Sequence, residues 1–80
     1  MIKPGELYKT NYKLLWYSDY TKLGIVLPKD TILLCVEIRV KPGIVPEIVV
    51  LAEKYGLLTR NKNITNLSDL KRIKYNDKHV

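Results

Sequence analysis

The chain has 80 residues, about half of a typical ~150-residue domain, which allows one small domain and leaves no room for a second core. Hydrophobic residues make up 46% and charged residues 28%, values too apolar for a disordered chain. The longest uninterrupted apolar runs, Ile32–Val36 and Ile48–Ala52, are far short of the ~20 residues that span a bilayer, and a net charge of +6 either attracts anionic partners or serves only as a solvated, solubilising surface.

Composition points to an all-β fold. Alanine, the best helix former, occurs once, at Ala52, against 20 β-branched residues, six tyrosines and one tryptophan. A domain of this size buries only ~60% of the surface its unfolded chain exposes, so its core must be compact.

In chain order, Lys3-Pro4-Gly5 is a turn signal. Leu7 to Thr10 and Tyr12 to Tyr17 follow as short strands, with Leu14 and Trp16 on one face at period two. Residues 18–24 form a polar connection, Ile25-Val26-Leu27 a brief apolar stretch, and Pro28-Lys29-Asp30 a second tight turn. The clearest strand is Thr31 to Val40. Its alternation places Ile32, Leu34, Val36, Ile38 and Val40 on one face, with Leu33, Cys35, Glu37 and Arg39 on the other, apolar on both sides at first. Residues 41–46 carry two prolines and read as a loop, because proline cannot sit in a central ladder.

Glu47 to Ala52 is the next strand, also apolar on both faces. Lys54-Tyr55-Gly56 makes a hairpin turn and Leu57 to Arg60 returns. A helix over 46–58 is disfavoured by Ile48-Val49-Val50, whose β-branched side chains lose χ1 freedom in a helix. Asn66 to Leu70 reads as one 3-10 turn with Leu67 and Leu70 three apart, Lys71 to Tyr75 as the last strand, and 76–80 as a charged, fraying tail. Residues 1–75 thus read as one small β domain, which the resemblance below makes a small β-barrel.

This order resembles the SH3-like small barrels, among them bacterial SH3 modules and short barrel proteins of tailed phages. The residues that carry the likeness are Leu27-Pro28-Lys29-Asp30-Thr31 leading into Ile32–Glu37, Tyr55-Gly56 before Leu57-Leu58, and Asn66–Leu70 followed by Lys71-Arg72-Ile73. Asp30 stands where those modules usually have glycine. The resemblance implies a five-stranded barrel with one 3-10 turn before the last strand; an Sm-like barrel is the alternative. Such folds host unrelated functions, so function has to come from a site.

Catalytic chemistry finds no set of residues to run on. Cys35, the only cysteine, lies mid-strand, and His79, the only histidine, lies in the tail, beyond reach of Ser18 or Ser68 as a fixed base. The eight carboxylates are scattered, there is no glycine-rich phosphate loop, and no disulfide, metal site or cofactor is expected. The start Met-Ile-Lys-Pro-Gly has no apolar leader, which points to the cytoplasm of a bacterial or phage-infected cell.

Two binding surfaces remain. Five of the seven aromatics fall in the first 20 residues, and Tyr12, Tyr17 and Tyr20 are the candidate contacts of an aromatic first loop that engages a protein partner. Alternatively, Arg60, Lys62, Lys71, Arg72 and Lys74 form a basic C-terminal segment suited to single-stranded RNA or DNA, with stacking from the same aromatics. Edge strands add the option of a homo-oligomer. The expected protein is therefore a non-enzymatic small binding module.

Overall fold

The computed structural model describes residues 2–66 and 68–74, and it is all-β. The strands are β1 (Leu7–Thr10), β2 (Leu14–Ser18), β3 (Gly24–Leu27), β4 (Ile32–Lys41), β5 (Ile44–Ala52), β6 (Gly56–Asn61) and β7 (Leu70–Ile73), with one 3-10 turn at Lys62–Ile64. They make a single antiparallel sheet in the order β3-β2-β6-β5-β4-β1-β7, with β3 and β7 at its edges. Among the described residues no helix is long and apolar enough to cross a membrane.

One hydrophobic cluster takes side chains from every strand: Tyr8 from β1, Leu14 and Trp16 from β2, Leu27 from β3, Leu33 and Cys35 from β4, Ile48, Val50 and Ala52 from β5, Leu58 from β6 and Leu70 from β7. In a flat sheet β6 and β7 would lie about 19 Å apart, yet Arg60 of β6 lies 3.5 Å from the carboxylate of Asp69, the residue before β7. The sheet must therefore coil around this core, a shape compatible with a small barrel, although among the described residues β3 and β7 do not pair and no ladder closes it. The expected count of five strands is too low. Leu14–Tyr17 pairs with Gly24–Leu27, so the polar connection expected over 18–24 closes a hairpin, and this hairpin docks on β6 through Tyr17–Thr59 and Ser18–Leu58.

The 3-10 turn also lies earlier than expected, at Lys62–Ile64, where the Asn61 side chain accepts the Asn63 N–H. Of the segment expected to hold it, Leu67 lies outside the described residues, as do Tyr75, His79 and the whole 76–80 tail.

Two bulges correct the expected faces. Cys35 pairs with Val50 and Glu37 with Val49, so Val36 is an extra residue on β4. Beyond it the parity flips, and Ile38 joins the core side with Leu33 and Cys35 instead of sharing a face with Ile32 and Leu34. On β5, Val45 and Pro46 together oppose Val40, and that irregularity is how a proline is tolerated inside a strand expected to start only at Glu47. Pro42 and Gly43 alone make the turn between the paired Lys41 and Ile44.

The two remaining turns follow local chemistry. Gly56, the first residue of β6, supplies a φ of +76° directly after the three-residue loop 53–55 that its pairing with Ala52 closes. Asp30 takes a φ of +68°, so an aspartate fills the glycine-like position of the turn after Leu27, as Asp and Asn do more readily than other side chains. Thr10, fully buried, clamps that turn: its Oγ1 donates to Pro28 C=O at 2.8 Å and accepts the Thr31 N–H at 2.9 Å.

Candidate interaction surface

Side chains opposite one another in an antiparallel ladder share a face, so register alone defines what the coiled sheet shows to solvent. Leu7 pairs with Ile73 on one side and Leu34 on the other, Leu34 pairs with Leu51, and Leu51 pairs with Leu57. The result is an unbroken aliphatic row, Ile73–Leu7–Leu34–Leu51–Leu57, across five strands on the face away from the core. Leu51 and Leu57 are each 44% exposed, and Leu7 is exposed too. A hollow of about 500 Å³ opens over its β7 end, lined by Gly5, Glu6, Leu7, Leu34, Arg72 and Ile73. The sequence signal for this row was the double-faced apolar character of the start of β4 and of β5. That pattern suggests strands covered on both sides, yet along this row the structure covers only one.

Toward β2 the same face is roofed. The Arg39 guanidinium of β4 meets the Asp19 carboxylate beyond β2 at 2.9 and 3.3 Å, with Glu37, Glu47 and Lys22 alongside. Strands β5 and β6 lie between these partners, and Val49 and Thr59, which face outward there, are buried. The Asp19 carboxyl is held below the usual carboxylate range, chiefly by the Arg39 hydrogen bonds.

The three candidate tyrosines do not form one site. Tyr17 is on the outer face, half-exposed beside Thr59 and Gly24, and Tyr20, 94% exposed, is in the tip of the β2–β3 hairpin. Tyr12 sits before the other end of β2 and donates its hydroxyl to the Asp69 carboxylate, which raises its pKa above the ordinary tyrosine value.

The basic segment also divides. Arg60 is turned inward, its side chain only 12% exposed: it donates to Leu15 C=O, Ile64 C=O and Thr65 Oγ1, and lies 3.5 Å from the Asp69 carboxylate, itself 5% exposed. Asp69 accepts the Asn66 N–H as well. This knot ties β6 to the residue before β7, elements four strands apart in the sheet, and its arginine is committed to holding the coil together. Lys62 stands apart on the 3-10 turn. Lys71, Arg72 and Lys74 instead gather with Lys9, which was not among the candidates, around a hollow of about 420 Å³ that also includes Ile73. Lys9 and Lys71 are directly opposed in the β1–β7 ladder, a like-charge pair that costs a few tenths of a kcal/mol. Lys9 lies 3.7 Å from Asp30, and Arg72 is paired with Glu6 at 2.9 Å.

Cys35 is buried, and burial pushes its thiol pKa up, the opposite of an activated nucleophile. Among the described residues no group of three or more His, Cys, Asp or Glu side chains is placed to hold a metal ion. No protein-family model, curated protein or solved structure matches the chain.

Proposed function

We propose that the chain is a non-enzymatic binding module of the SH3-like small-barrel kind that engages a protein partner through the outer face of its sheet. The strand order β6-β5-β4-β1-β7, with a hairpin inserted between β1 and β4, supports the fold part of this reading. The observation that carries the function is the five-strand aliphatic row, because contiguous exposed apolar surface on a small domain marks an interaction site. Tyr17 and Tyr20, on the hairpin beside it, are the aromatic contacts, and Tyr12 is assigned to the fold.

The test compares wild type with a Leu51→Ser/Leu57→Ser double variant, each immobilised and offered lysate of its source cell. Wild type is expected to retain a partner that the variant loses at unchanged melting temperature; equal retention overturns the proposal.

The opposed Lys9 and Lys71, with Lys74 beside them, favour one second reading, a single-stranded nucleic-acid binder. Labelled RNA and DNA oligomers followed by anisotropy would then bind with affinity falling steeply in salt, and Lys9→Ala/Lys71→Ala/Lys74→Ala would weaken all sequences alike.

A further inference from the structure

The β7 edge combines features that select a ligand. β7 is hydrogen-bonded to β1, and among the described residues no other strand occupies its outer edge, the geometry that strand addition uses. Its outward side chains are Lys71 and Ile73, two residues apart on one face. Ile73 ends the aliphatic row, and Lys71 ends the neighbouring row, Lys71–Lys9–Ile32. The apolar and cationic hollows meet here, with Arg72 and Ile73 lining both. Glu6 neutralises Arg72, whereas Lys71 faces another lysine.

Resting on the protein-partner reading above, we infer that β7 accepts an extended segment of an acidic protein partner, added antiparallel, with the pattern aliphatic–any–Asp/Glu. The ladder sets that spacing. A partner residue opposite Ile73 continues the aliphatic row, and the residue two further along its chain falls opposite Lys71 on the same face. A carboxylate there gives Lys71 an anionic partner, as Asp30 already gives Lys9, and offsets the Lys9–Lys71 repulsion. The chain's +6 net charge favours an acidic partner over a second copy of itself.

The test uses the labelled peptide Thr-Thr-Val-Thr-Glu-Thr-Thr, its Glu-to-Lys counterpart, and the full chain as wild type and Lys71→Glu, at low salt. The glutamate peptide should bind wild type about tenfold tighter than the lysine peptide, and Lys71→Glu should reverse that preference. Amide shifts and exchange protection should centre on 70–73. Lys71 is exposed, so the swap leaves folding intact, which the spectrum of the free variant verifies. Equal binding of both peptides overturns the inference, as do shifts confined to Leu51 and Leu57, shifts that depend on protein concentration without peptide, or binding only of an oligonucleotide. If the lysate partner is lost with Leu51→Ser/Leu57→Ser while neither peptide binds, the β7 inference fails and the protein-partner proposal stands.

Discussion

The two faces of the coiled sheet are built from the same residue types and do opposite things. The inner face carries Trp16, Leu27, Leu33, Ile48 and Leu58, all buried, while the outer face carries Leu7, Leu34, Leu51, Leu57 and Ile73 with no described element covering them. Leu57 and Leu58 are adjacent in sequence, yet one is solvent-facing and the other fully buried. Hydrophobicity therefore does not tell core from interaction surface in this chain. Strand parity, together with which strand lies opposite, separates the two. The two faces should respond unequally to substitution.

The largest contrast is expected at Trp16. Truncation to alanine removes the largest buried side chain and should cost about 3–5 kcal/mol, enough to unfold a domain of this size; a denaturant titration reads it. Trp16→Phe should cost much less, because Nε1 has no hydrogen-bond partner to lose. Next comes Asp69→Ala, which strands the inward Arg60 and the Tyr12 hydroxyl at the open side of the coil. It should destabilise by about 3 kcal/mol, and Arg60→Ala/Asp69→Ala should recover part of that in a double-mutant cycle. Thr10→Val keeps the shape but removes the hydroxyl that clamps the turn after Leu27. A loss of about 1–2 kcal/mol is expected by thermal melting.

On the outer face, Leu51→Ser/Leu57→Ser should shift stability by less than about 1 kcal/mol while abolishing partner binding. A loss as large as that at Trp16 would show that the two faces are one core.

The smallest effect separates the roof over Val49 from the row beside it. Arg39 lowers the Asp19 pKa from its ordinary 3.8, so the pair stabilises the fold above that pH. The contribution disappears as pH falls through the lowered value, because the unfolded chain then binds a proton that the folded chain resists. Wild type should lose melting temperature on acidification more steeply than Asp19→Asn, and parallel curves would dismiss the bridge as a contributor.

Much of this protein is legible locally. One alanine against 20 β-branched residues selects strands, Tyr55-Gly56 sets a hairpin, and the alternation of Leu14 and Trp16 names core residues that the structure buries. Asp30 in a left-handed conformation shows that the turn after Leu27 is set by a short polar side chain even without glycine. Pairing partners were not legible, because they depend on residues far apart in the chain. Val36 flips the parity of β4 only because β5 offers one residue fewer there, and Ile25–Leu27 becomes a strand only because Leu14–Tyr17 lies beside it.

The candidate sites divide on the same grounds. Charge count placed Arg60 with Lys71 and Arg72, but ring-like coiling brings Arg60 to Asp69 and spends its donors inside, while the ladder sets Lys71 against Lys9, 62 positions earlier in the chain. Composition and turn chemistry determined that this chain would be a small antiparallel β domain, since those preferences act within a few residues. Only the tertiary structure decided which apolar side chains became core, which formed an open row and which cations stayed free. Those outcomes follow from register, and register is settled where distant strands bury one continuous face.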